Sequence, residues 1–270
     1  MRCGVGDYSF RLASALAMHA KLRVCVLTSR EAVHVESGGE DKIDVFPAVV
    51  SWRLRELRKV VRFVRGCAPD IVHIQYPTQG YGGGMLPWFL PLIIWLMGKK
   101  VVQTWHEGFS LRHAPLFIVM ALVPSKIVVV RPEYRKVLLP FYRWLLARRE
   151  LRFIQSTSTI GKADMDEQAR AALRNRYLGG RTRLVVYFGF VYPNKGVELL
   201  FDIANPETDQ LVIAGEIPAT GDYERQIRDR AASDNWRGQV AITGYLSAQD
   251  IAELLAVADA VVLPFRVGAV

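Results

Sequence analysis

Cysteine is scarce in this chain. Three residues in 270, Cys3, Cys25 and Cys67, are odd in number and far apart. No CxxC or other metal-type spacing occurs, which argues against a disulfide framework or a zinc site and points to a reducing, cytosolic setting. Long apolar runs are also missing. The longest, at 85–97, has 13 residues and contains Pro87 and Pro91, whereas a bilayer span needs about 20. Carboxylates are scarce in the first part: residues 1–150 hold 22 Lys/Arg against 11 Asp/Glu, a net +11. Residues 151–270 hold 13 against 15, a net −2. Such asymmetry suggests two domains with different partners, the basic one suited to an anionic substrate or surface. The basic residues have no aromatic stacking platform among them, so nucleic acid is not an expected partner.

What the chain does have is a 51% apolar content and a steady alternation of strand-like and helix-like segments. Strands are predicted over 23–27, 43–46, 71–75, 101–105 and 127–130, and helices over 8–17, 52–65, 85–97 and 133–148. A second series follows a Ser/Thr-rich break at 151–162. Its strands lie at 184–188, 210–214, 240–243 and 260–263, its helices at 197–203, 223–232 and 248–257. Alternation of this kind means parallel sheets covered by helices on both faces. The fold class expected is therefore α/β with two Rossmann-like domains, 1–150 and 151–270. Their ligands should sit at the carboxyl ends of the strands.

The segment LVVYFGFVYPNKGVELL at 184–200 carries the strongest local signal. A buried strand ends at Gly189, Pro193 and Asn194 make a turn, and Lys195-Gly196 opens a helix. Free N–H groups and the positive end of a helix dipole favour an anion there, and a phosphate is the natural guest. A βα turn with a solvent lysine would look the same. Gly4-Val5-Gly6 precedes another helix and would let a phosphate or sugar approach the backbone. It lacks the third glycine of a dinucleotide fingerprint (Ser9 stands there), and Thr28 and Ser29 replace the acidic residue that would end the next strand. A nicotinamide cofactor is a poor fit.

His106 and Glu107 follow the strand at 101–105, where a histidine could hydrogen-bond a sugar hydroxyl. His73, inside its strand, reads as a packed core residue. Gln75, Tyr76 and Tyr81 flank a glycine-rich loop and suit sugar or acceptor contact. The segment WRLRELRKVVRFVR, from Trp52 to Arg65, is a basic amphipathic helix. It suits either a core-covering role or peripheral docking on an anionic membrane surface, such as the inner membrane face.

Taken in order, GVGDYSFRLASAL, DIVHIQYP, VVQTWHE, YFGFVYPNKGVELL, LVIAG and VAITGYLSAQDIAELLAVADAVVLPF resemble the GT-B glycosyltransferases of the family 4 type, the glycosyl transferases group 1. The resemblance covers nearly the whole chain. It implies transfer of a sugar from a nucleotide-sugar donor to a glycan, lipid or other acceptor. Configuration would be retained, and neither a metal nor a further cofactor is expected. The donor would bind to the C-terminal domain and the acceptor against the N-terminal one. Gly4 and Gly6 would lie near the donor diphosphate, and His106 matches the histidine that contacts the transferred sugar. Lys195, with Gly189 in the same motif, matches the lysine that neutralises the diphosphate leaving group. Glu216, Tyr245 and Leu246 lie where the nucleoside would sit, and Arg266 offers a further cation.

The sequence departs from the family pattern in three places. Phe190 stands where an arginine is usual. Gly268 stands where the first of two glutamates would fall. The strand before the glycine motif is lacking. The chain is thus expected to be incomplete at both termini. A non-catalytic nucleotide-sugar or glycan-binding GT-B module, or a GT-B sugar-nucleotide epimerase, are the alternatives.

Overall fold

The computed structural model describes residues 4–19, 21–31, 43–76, 81–106, 113–132, 134–147, 149–156, 158, 160–217 and 221–266. The chain divides into two compact units, Met1–Ser156 and Thr157–Val270. The first contains α1 (Gly4–Ala17), β1 (Val24–Ser29), β2 (Ile43–Val49), α2 (Leu57–Cys67), β3 (Ile71–Tyr76) and α3 (Leu86–Leu96). It continues with β4 (Lys100–Trp105), α4 (Ala114–Leu122), β5 (Ser125–Val129), α5 (Pro140–Ala147) and β6 (Leu151–Phe153). β1 and β2 pair with each other, and β3-β4-β5-β6 form a separate sheet in that order. Every pairing is parallel.

β4 shows why a central strand need not be wholly apolar. Gln103 is fully buried, yet its Nε2 donates to the Met120 carbonyl (3.0 Å) and to Ser125 Oγ (2.7 Å). Its Oε1 accepts from Trp105 Nε1 at 3.1 Å. Every polar atom of that side chain is thus satisfied, as burial requires. Around it, Trp88, Trp105, Phe117, Met120, Tyr142 and Leu146 make one core cluster. Val49, Trp52, Val60, Val64, Ile74, Leu86 and Ile94 make another.

The second unit contains α6 (Glu167–Leu178), β7 (Arg183–Phe188), α7 (Leu200–Ile203), β8 (Asp209–Ala214), α8 (Asp222–Ala232), β9 (Val240–Gly244), α9 (Ala248–Val257) and β10 (Ala260–Val261). Its sheet runs β10-β7-β8-β9, all parallel. β8 is buried at every position. Its first residue, Asp209, is held by Arg183 through two hydrogen bonds (2.7 and 2.9 Å) and by the Asn205 amide at 2.9 Å. α9 opens on a capping box, with Ser247 and Asp250 each accepting from the other's backbone N–H.

Several local expectations are corrected. The helix predicted over 133–148 is a short 3-10 turn, Tyr134–Val137, followed by α5. Pro140 has no N–H to continue the first segment and disfavours helical geometry at Leu139. The region 197–203 is a 3-10 turn, Val197–Leu199, running into the single-turn α7. α4, α6 and β6 are additional elements. β6 hydrogen-bonds to β5 and so goes with the first unit, not with residues 151–270. The glycine motif is not a loop: Gly4 and Gly6 lie in the first turn of α1. Neither has a positive φ, and a side chain at Gly4 would meet nothing.

Candidate functional site

In the second unit the loops after the strands are stitched together at their carboxyl ends. Gly189 donates its N–H to the Ala214 carbonyl (3.0 Å), and Val191 donates to the Glu216 carbonyl (3.1 Å). Gly189 has φ +136°, and a Cβ on Gly215 would overlap the Gly189 carbonyl. Gly215 is therefore required by close backbone approach, and Gly189 by its positive φ. Tyr187 Oη donates to the Phe190 carbonyl at 2.9 Å, fixing the turn from below.

Lys195 ends the 3-10 turn Pro193–Lys195. The expectation of free N–H groups at a helix start fails here. The Lys195 amide is bonded to Tyr192, that of Gly196 to Pro193, and that of Val197 to Tyr223 Oη at 3.0 Å. No full helix follows, so the dipole contribution is small. What the turn offers an anion is the Lys195 ammonium itself, which sits 4.2 Å from the centroid of the Phe265 ring.

Phe265 is held there by its neighbours. Arg266 donates its N–H to the Asn194 carbonyl at 3.2 Å. Its guanidinium engages Glu198 through Nε (3.1 Å) and Nη2. Glu198 is buried and also accepts from Tyr223 Oη at 2.5 Å. Burial pushes the Glu198 carboxyl up, but the hydrogen bonds from Tyr223 and Arg266 outweigh it and hold it below the usual glutamate value. Arg266 is thus the counter-charge of Glu198, and not the free second cation that the sequence suggested. Phe190 puts a ring 6.0 Å from that of Tyr192 where a cation is usual.

Glu216 and Tyr245 are exposed near the ends of β8 and β9, which an isolated bridge between Gly215 and Gly244 brings together. Leu246 packs instead into the core cluster of Leu184, Val186, Ile251 and Leu254.

In the first unit, His106 follows β4 and is half-buried. Its backbone N–H donates to the Tyr76 carbonyl at 2.9 Å. Its Nε2 lies 2.8 Å from Gln75 Oε1, an atom that can only accept, so Nε2 carries the proton and Nδ1 is left as an acceptor. The Tyr8 ring of α1 packs edge-on against the imidazole at 4.8 Å. Burial, with a smaller contribution from His73, lowers the His106 pKa to about 4. It is a neutral hydrogen-bonding group at pH 7.

Tyr81 donates to the Gln75 carbonyl at 2.7 Å. Tyr76 is corrected to a core residue. β3 alternation turns Ile74 and Tyr76 inward, and the Tyr76 ring packs 4.3 Å from that of Trp88. By the same alternation His73 lies on the more open side, 2.7 Å from Thr104 Oγ1. Glu107 and Gly268 lie outside the described residues. The apolar stripe of α2 is committed to the core through Val60 and Val64, so that helix turns only its basic face outward. Residues that sequence reasoning missed here are Tyr8, Glu198, Tyr223 and Phe265. Each acts through a partner distant in sequence. Among the described residues, no three His, Cys, Asp or Glu side chains are grouped to hold a metal ion.

Residues 182–269 match the sequence profile of the family described as glycosyl transferases group 1. A stretch of 109 residues is 38% identical to the alpha-D-kanosaminyltransferase of Streptomyces kanamyceticus, covering 38% of this chain and 27% of that enzyme. Sucrose-phosphate synthase from Thermosynechococcus elongatus has a similar structure, with a TM-score of 0.66 at 17% identity over 98% of this chain and 72% of that one. Anabaena HepE, solved in complex with UDP and glucose, gives a TM-score of 0.62 at 16% identity over 81% of this chain and 59% of its own. The chain therefore spans well under two thirds of HepE and of the kanosaminyltransferase. At these identities the structural likeness shows the fold, which is GT-B. Through residues 182–269, the chain is similar to the glycosyl transferases group 1 family.

Proposed function

We propose that this chain takes part in glycosyl transfer, binding a nucleoside-diphosphate sugar in its second unit and passing the sugar to a hydroxyl acceptor. The observation that carries this reading is the Lys195 turn, held in place by Phe265, Glu198 and Tyr223 within the stretch that matches the family. Charge grows on the leaving diphosphate as the anomeric C–O bond breaks, and a fixed ammonium there stabilises the transition state more than the ground state. The acceptor hydroxyl passes its proton to the departing diphosphate oxygen as its own oxygen bonds the anomeric carbon. We assign Gly189, Glu216 and Tyr245 to the nucleotide side, and Gln75 and Tyr81 to the acceptor side. His106 is assigned as a neutral partner that orients a sugar hydroxyl through Nδ1. Retention of configuration follows from the family resemblance. The UDP and glucose in the HepE complex support a nucleotide-sugar as donor class.

Calorimetric titration with a panel of uridine, adenosine, guanosine and thymidine diphosphate sugars tests the reading. One class is expected to bind saturably, and Lys195→Ala to weaken it roughly tenfold or more, as loss of a charge-assisted contact to phosphate implies. Absence of binding by every nucleotide, or binding unchanged in Lys195→Ala, would refute the donor site. Transfer or donor hydrolysis that is lost in His106→Ala, with donor affinity retained, is the result expected for the assigned histidine.

A further inference from the structure

The opposite rim of the first unit's sheet carries a surface that neither candidate site uses. β3, β4, β5 and β6 begin side by side, with Ile71 beside Lys100, Val101 beside Ser125, and Ile127 beside Leu151. α3, α4 and α5 pack in sequence against one another and end at this rim. Four large apolar side chains at those helix ends are open to solvent: Leu96 (70% exposed), Trp144 (63%), Leu122 (52%) and Trp95 (42%). Arg149 donates to the Leu122 carbonyl at 2.5 Å, tying the end of α5 to the end of α4.

The charge around these side chains is of one sign. Among the described residues, segments 95–100, 122–126 and 143–152 hold six Lys or Arg against one carboxylate, Glu150. Glu150 is already engaged by Lys126 (3.2 Å) and Arg152 (3.0 Å). Exposed indole rings flanked by Lys and Arg match the water–lipid interface, where indoles sit at headgroup level and cations meet lipid phosphate. No helix among the described residues is long and apolar enough to cross a membrane, so such an attachment would be peripheral. α2, by contrast, presents charge without an exposed apolar stripe.

We propose that the rim built from Trp95, Leu96, Leu122 and Trp144 docks on an anionic membrane surface. The proposal is independent of the donor-site reading.

Co-sedimentation of the full chain with vesicles of phosphatidylcholine alone, or mixed with phosphatidylglycerol, tests it. Pelleting is expected with the anionic vesicles only and should weaken as salt rises. Tryptophan emission should shift to the blue and be quenched by brominated lipid. L96S/W144S, with an unchanged circular-dichroism spectrum, should partition roughly tenfold less. K99E/K100E should also partition less, while R58E/R62E on α2 keeps most of the binding. The proposal is overturned if anionic vesicles do not pellet the chain, if L96S/W144S binds like the parent, or if R58E/R62E alone abolishes binding. It is equally overturned if the rim mediates a dimer, seen by sedimentation velocity and lost in L96S/W144S, without vesicle binding.

Discussion

Gly196 lies directly beneath Pro264: a Cβ at residue 196 would overlap the Pro264 carbonyl oxygen. Gly196 also has φ +65°, so two independent constraints reserve the position for glycine. Gly196→Ala is expected to displace segment 263–266 from the Lys195 turn. The cost should be about 1–3 kcal/mol, read as a lower urea midpoint. Loss of any nucleotide-diphosphate affinity should accompany it.

Tyr223 supplies the hydroxyl that both accepts from the Val197 amide and donates to Glu198. Tyr223→Phe leaves the ring in place and removes only that oxygen. A buried carboxylate then loses a donor, at a cost of about 1.5–3 kcal/mol, measurable by chemical denaturation. Glu198→Gln in the same background should recover part of the loss, because a neutral amide is easier to bury than an under-bonded carboxylate. Equal stability of Tyr223→Phe and the parent would mean that the network contributes nothing.

His106 gives a pH signature with a defined sign. Its pKa falls from an ordinary 6.5 to about 4 in the folded chain. Between those values the unfolded chain binds the proton and the folded one does not, so stability falls as pH drops from 6.5 toward 4. Above pH 6.5 the histidine contributes no slope. His106→Gln should flatten this window relative to the parent in pH-dependent denaturation. Identical slopes would show that the imidazole is not desolvated.

Phe265 is the ring against which the Lys195 ammonium rests. An exposed cation–π contact stabilises by about 0.5–1 kcal/mol. Phe265→Ala should therefore weaken nucleotide-diphosphate binding by roughly two- to five-fold while leaving the fold intact. Titration of this variant beside Lys195→Ala separates positioning of the lysine from the lysine itself.

The strands were legible in the sequence because parallel, doubly covered strands are written as apolar runs, and β7 and β8 are of that kind. α9 was legible as the helical segment 248–257, and its Ser247–Asp250 capping box fixes where it starts. α4 was not, since APLFIVMAL has no polar face from which to read a helical period. α6 failed for the opposite reason: none of its residues is fully buried. At the Lys195 turn, the lysine and the glycines could be read locally. The bonding of the turn's amides and of Arg266 could not, because Tyr223 lies 26 residues from Val197 and Arg266 lies 68 residues from Glu198. Tertiary partners decide which groups of a local motif are left for a ligand.

The division of the first unit's strands into the β1–β2 pair and the β3–β6 sheet has a colloidal consequence. Among the described residues, that unit has two sheets and hence four ladder edges, where the second unit has one sheet and two. Open ladders are templates for extended polypeptide. At high concentration, association through backbone pairing should begin in the first unit, and crowding of the chain will test its edges before it tests its core.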